Sequence, residues 1–139
     1  VGDDPKDKHL ISELLLWMLQ NKADYTNTFC FLMNEYDPKN EIYKKKQFIL
    51  WKKKWENRIN LNNNSKENSI KIMSKVNPLI IPRNYLVEES LKYATEKDDL
   101  SKVNDLLKVL KKPYERVSAT SIYQSTPLSE ENYVTYCGT

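Results

Sequence analysis

Glycine is nearly missing from this chain. The two present, Gly2 and Gly138, stand at the ends of its 139 residues. Tight β-hairpin turns draw on glycine for positive φ, so the shortage argues against hairpins and for helices. It also excludes a glycine-rich phosphate loop, because no internal glycine can bring the backbone close to a phosphate. Histidine occurs once, at His9, and cysteine twice, at Cys30 and Cys137. A lone histidine with no cysteine near it is a poor metal ligand, and His9 reads as an ordinary histidine on a helix surface. A single pair of cysteines cannot hold a disulfide-dense secreted scaffold. Long hydrophobic runs are missing too. The longest, Leu14 to Leu19, is far too short to span a bilayer, and no signal-peptide pattern precedes it.

What is present fits one domain with a modest core: hydrophobic residues make up 40% and charged residues 29%. The net charge of +3 is unevenly placed. Residues 39–58 hold eight basic side chains against two acidic ones, and the rest of the chain holds fourteen against seventeen.

The hydrophobic spacing predicts five to six helices. Asp3, Asp4 and Pro5 form a helix start, with a capping carboxylate ahead of a proline in the first turn. The helix they open runs to about Asn21 and is apolar nearly all round, from Leu10 and Ile11 through Leu14, Leu15, Leu16, Trp17, Met18 and Leu19. Such a helix is buried on several sides, with Trp17 as a core anchor. Residues 23–35 read as a second helix, capped by Asp24 or Thr26, with Phe29, Cys30, Leu32 and Met33 on its apolar face. Cys30 packs there as a small hydrophobe. Asp37-Pro38 breaks the chain before a long helix over 41–61, with Ile42, Phe48, Ile49, Trp51 and Trp55 inward. Its lysine triplets, Lys44 to Lys46 and Lys52 to Lys54, are eight residues apart and would lie roughly above one another. They suit an anionic partner or, more simply, form a solvated face whose stems cover apolar surface. A patch of lysines without arginine forks is a weak recognition device.

A linker at 60–64, rich in asparagine, leads to a helix capped by Ser65, with Ile70, Ile72, Met73 and Val76 apolar. Asn77-Pro78 stops it. Leu79, Ile80 and Ile81 run extended into Pro82, Arg83 is placed to bond loop carbonyls or an acidic partner, and Asn84 caps the next helix. Leu86, Val87, Leu91 and Ala94 point inward there. Asp98 and Asp99 begin a last helix with the stripe Leu100, Val103, Leu106, Leu107 and Leu110, closed by Pro113, and the two helices form an αα-hairpin. The chain therefore reads as an all-α, irregular helical subdomain over 1–113. A tail over 114–139, extended or mobile, ends on Cys137, an exposed candidate redox thiol.

Several of these segments carry a family likeness. Ala23-Asp24-Tyr25-Thr26-Asn27-Thr28-Phe29, Asn77-Pro78, Pro82-Arg83-Asn84, the Lys97-Asp98-Asp99 turn and Lys112-Pro113-Tyr114 resemble the C-terminal part of selenoprotein O. The lysine-rich helix and its linker are the least family-like part. The family has a protein-kinase-like fold, and its members move AMP from ATP to Ser, Thr or Tyr hydroxyls of proteins. The resemblance implies that this chain is a C-terminal helical region, without catalytic residues of its own, packing on a kinase-like domain that holds ATP and a divalent metal. It implies protein substrates for the parent, and a bacterial cytoplasmic or a mitochondrial location. Asn77, Pro78, Arg83, Asn84 and Pro113 then read as residues that hold the fold, with contact to the catalytic domain as the alternative for Arg83 and Asn84. Cys137 matches the family's terminal selenocysteine or cysteine, which implies a regulatory disulfide with the kinase-like domain. The alternative from another class is a stand-alone helical module that uses 39–58 on an anionic partner. Neither nucleic acid nor a membrane is expected as a partner.

Overall fold

The structure, a computed structural model, describes residues 5–38, 41–61 and 65–126. It is all-α, with no strand among the described residues. The chain divides into two compact units, Val1–Asn77 and Pro78–Thr139. No helix among the described residues is long and apolar enough to cross a membrane.

The first unit holds α1 (Pro5–Gln20), α2 (Tyr25–Leu32), a 3-10 turn (Ile42–Lys44), α3 (Lys46–Asn60) and α4 (Lys66–Met73). Pro5 is the first described residue of α1, and the capping carboxylates expected at Asp3 and Asp4 lie outside the described residues. Asp24 caps α2, its Oδ1 accepting from Asn27 N at 2.7 Å, and Ser65 caps α4 through Asn68 N at 3.2 Å. The helix ends show what a glycine-poor chain does. α1 and α2 close with six-to-one hydrogen bonds, Ala23 N to Met18 O at 2.9 Å and Glu35 N to Cys30 O at 2.8 Å. The left-handed residues these closures need are Lys22 (φ 50°) and Asn34 (φ 61°). Glycine is the usual choice for that position, and asparagine tolerates it better than lysine does.

The core of this unit is Leu14, Trp17, Met18, Leu32, Tyr43, Phe48, Trp51, Trp55 and Ile59. Phe31 stacks on Tyr43 with ring centroids 4.3 Å apart, and Phe48 meets Trp17 at 4.6 Å and Tyr43 at 5.1 Å. Tyr43 Oη and Thr28 Oγ1 share a buried hydrogen bond of 3.1 Å.

One helix over 41–61 is replaced by two pieces. Lys45 is extended (φ −60°, ψ 139°) and separates the 3-10 turn from α3. In an unbroken helix, at 100° per residue, Tyr43 would sit roughly a third of a turn off the face of Phe48, Trp51 and Trp55. The break swings it into the core. Ile49 faces out instead of in, as do Ile72 and Val76 beyond α3. Residues 62–64 of the expected linker lie outside the described residues.

The second unit holds α5 (Asn84–Lys97), α6 (Ser101–Leu110) and a single-turn α7 (Thr120–Tyr123). α5 and α6 pack on each other as the expected hairpin. Asp98, left-handed at φ 52°, ends α5 instead of starting α6, and Asp99 Oδ1 accepts from Ser101 N at 2.8 Å. Leu79 and Ile80 are buried, and their N–H groups both donate to Pro113 O, at 2.7 and 3.3 Å. Asn84 does not cap α5. It is the first helical residue, and Arg83 stands at the cap position with no side-chain cap bond. Leu91, Leu100 and Leu107 are exposed, so the hairpin buries a narrower stripe than the leucine spacing suggests, centred on Leu106. The unpatterned stretch after Pro113 contains α7. Thr120 Oγ1 accepts from Val117 N at 2.8 Å, and Tyr85 Oη donates to Ser125 O at 2.8 Å.

Burial pushes the Tyr43 hydroxyl from its usual 10 up to about 12. The folded protein thus holds the neutral phenol, so this contribution to stability is complete below pH 10 and is lost as pH rises toward 12. Two pH units correspond to roughly 3 kcal/mol. Urea unfolding across pH 9–12 is expected to show this loss, with a shallower fall for Tyr43→Phe; equal slopes would contradict a protonated, buried Tyr43.

Candidate functional site

An open groove of about 570 Å³ runs along α1 and α3 in the first unit. The two helices are antiparallel, so Asn21 meets Lys45 at one end and Asp7 meets Arg58 at the other. Asp7 lies in the first turn of α1 and Arg58 in the last turn of α3, each complementing its helix dipole. Arg58 Nε donates to Asp7 Oδ1 at 2.6 Å and its Nη2 to Oδ2 at 3.1 Å, a two-pronged pair. Only 4% of the Asp7 side chain and 16% of that of Arg58 are exposed. One turn along, Trp51 Nε1 donates to Leu10 O at 2.8 Å. At the rim, Lys54 Nζ lies 2.7 Å from Glu13 Oε1, and His9 Nε2 lies 3.3 Å from the same oxygen.

This groove matches acid with base. The hydrogen bond from Lys54 holds the Glu13 carboxyl below the usual carboxylate range. A general acid needs the opposite shift, so Glu13 is a structural anion here. Among the described residues no three His, Cys, Asp or Glu side chains are grouped to hold a metal ion. His9, expected on a helix surface, is exposed there.

The remaining sequence candidates are dispersed. Cys30 is fully buried in α2, as expected for a packing thiol. Cys137 lies outside the described residues. Asn77 closes α4, its N and Nδ2 both donating to Met73 O at 2.9 Å. Pro78 opens the second unit, and the buried loop that follows it meets Pro113. Arg83 N donates to Ile81 O at 2.8 Å, and Arg83 O accepts from Val87 N at 3.0 Å. Asn84 is exposed.

The lysine triplets do not stack into one face, because Lys44 and Lys45 precede α3. Lys44 pairs with Glu41 at 2.7 Å and Lys45 bonds Asn21 Oδ1 at 2.7 Å. Lys52 sits 5.2 Å over the Phe31 ring and Lys54 holds Glu13. The Asp7–Arg58 pair was not visible in the sequence. An acid in a first turn and a base in a last turn are its only signal, and they stand 51 residues apart.

The family model described as protein adenylyltransferase SelO matches residues 2–111. The chain belongs to the SelO family. A protein nucleotidyltransferase YdiU of Pelagibacter ubique is 45% identical over 139 residues. Proteins of the same name from Clostridium botulinum and Nitrosococcus oceani are 43% and 36% identical. Each alignment takes in 99% of this chain but only 28–29% of the relative. This SelO-family chain thus spans less than a third of the length of those curated relatives, and the family match includes the Asp7–Arg58 clamp and Pro78 and ends just before Pro113.

Removing one partner of a buried ion pair strands the other charge, at a cost of about 3–5 kcal/mol. Arg58→Met is therefore expected to destabilise by that order in urea unfolding. Asp7→Leu with Arg58→Met should recover most of the loss. A double variant no better than the single one would show that the pair does not act as a unit.

Proposed function

We propose that this chain is the C-terminal helical region of a longer SelO-family protein nucleotidyltransferase, an enzyme that moves AMP from ATP to Ser, Thr or Tyr hydroxyls of proteins. The observation that carries this reading is similarity across 99% of the chain to proteins named as nucleotidyltransferases, of which it spans 29% or less. The role supported for these residues is architectural, through the α1–α3 clamp, the Pro113-held loop and the α5–α6 hairpin packing on a kinase-like domain. The described residues do not fit a nucleotide–metal site. No internal glycine is present, no three ligating side chains are grouped, and the carboxylates Glu13 and Glu67 are both shifted down, the wrong way for a general acid. ATP and its divalent metal are assigned to the remainder of the longer protein. Cys137 is proposed as a regulatory thiol that pairs reversibly with a cysteine there. The lysines of 39–58 offer little to the alternative of an anion-binding module, since Lys44, Lys45, Lys52 and Lys54 are engaged locally.

Labelled ATP, Mg²⁺ and a protein acceptor test the assignment. The longer protein is expected to transfer label, and the 139-residue chain alone to transfer none. Labelling that rises with the concentration of the 139-residue chain would overturn the division of labour. A thiol reagent read by peptide mass is expected to modify Cys137 well before Cys30, with the gap closing on unfolding, because Cys30 is fully buried and a thiol must be reached to react. Cys30 reacting first in the native protein would remove Cys137 from the regulatory role, as would unchanged redox sensitivity of the longer protein carrying Cys137→Ser.

A further inference from the structure

α1 is more apolar than its surroundings in the structure require. Its inner side buries Leu14, Trp17 and Met18. Its outer side leaves Ile11 50%, Leu15 45%, Leu16 54% and Leu19 78% exposed. At 100° per residue these four fall within an arc of roughly 140°, and Ile11, Leu15 and Leu19 form a line about 12 Å long, four residues apart each time. Single exposed leucines are ordinary, but an aligned row on one helix marks a surface built to be covered. Lys8 and Ser12 are the polar side chains within this arc, Lys8 one turn before Ile11. Ser12 Oγ donates to Lys8 O at 2.9 Å, so this hydroxyl needs no outside acceptor when the face is dried. Lys8 stands at the end of the row, where its stem can lie along apolar surface and its ammonium reach water.

We infer that the Ile11–Leu15–Leu16–Leu19 face of α1 is the docking surface for the remainder of the longer SelO-family chain. The inference rests on the reading above that this chain is one region of such a protein. Two observations select that occupant. Over residues 14–19 α1 is apolar all round, as a helix inside a larger core is, and the rest of the first unit leaves one side of it open. The curated relatives supply about seven-tenths of their length beyond the aligned part, ample chain to cover it. The covering surface is apolar, with an open or acidic margin beside Lys8. This contact is distinct from the α1–α3 groove, which lies around the helix on the side of Asp7, Leu10 and Glu13.

The test uses the longer protein. Leu15→Cys and, separately, Leu19→Cys are compared with Lys53→Cys on the exposed side of α3, and modification is read by peptide mass. Docking is expected to slow the two α1 positions by about tenfold or more relative to Lys53→Cys, with the difference lost in denaturant. Equal native rates would overturn the inference. Protection that fades on dilution, in step with dissociation of a dimer, would assign the face to a second copy and also overturn it. As a second readout, Leu15→Glu with Leu19→Glu is expected to open the longer protein to limited proteolysis while its helical circular dichroism is kept; unchanged protease resistance would count against docking. AMP transfer by the unsubstituted longer protein is scored separately. Loss of that activity overturns the functional reading, and the labelling ratio alone decides the docking face.

Discussion

Tyr43 has to be dry and hydrogen-bonded at once, and much of the first unit follows from that. Its ring lies between Phe31, Trp17 and Phe48, and its hydroxyl meets Thr28. A buried phenol without a partner would lose the desolvation free energy of the group, so Thr28 must face it from α2. Bringing the ring to that place breaks the long helix at Lys45. The break in turn sets the start of α3 and therefore which of its residues face α1. Phe48, Trp51, Trp55 and Ile59 face inward as a result, and Ile49 and Leu50 face outward.

Along the α1–α3 seam, polar chemistry serves packing. Trp51 ties its indole N–H to a backbone oxygen of α1, and the buried Asp7–Arg58 pair sits where two helix termini favour its charges. A buried pair of this kind adds little net stability compared with apolar residues, but it penalises any register in which one charge lacks the other. The same seam disperses the lysine tract. Lys45 and Lys54 reach back across it to Asn21 and Glu13, and the apparent anion-binding face becomes a set of local contacts.

Scarcity of glycine leaves its mark at the ends of α1, α2 and α5. Lys22, Asn34 and Asp98 take left-handed conformations that glycine adopts without strain. Asparagine and aspartate are natural substitutes; lysine at the end of α1 is the least comfortable of the three. These three helices close at a cost in backbone strain, and α1 and α2 recover part of it through six-to-one hydrogen bonds. The loop after Pro78 uses a different solution. Its buried N–H groups converge on the Pro113 carbonyl, which couples the entry of the second unit to the end of its hairpin.

Local signals were legible in the sequence because they act within a few residues. Asp24 and Ser65 as caps, Pro5 at a helix start, Asn77-Pro78 as a stop and the hairpin around Asp98-Asp99 all depend on neighbours along the chain. So did the family likeness, which rests on short ordered motifs. Patterns that depend on what lies across from a helix were not legible. Periodicity could mark Ile49, Leu91 and Leu107 as apolar but could not say that nothing in the described chain covers them. It could not pair Asp7 with Arg58 across 51 residues, nor see that Tyr43 must leave the helical path to reach Thr28. Helix propensity and capping are written in residues three or four apart. Burial and charge pairing depend on distances in space, and only the packed chain sets those.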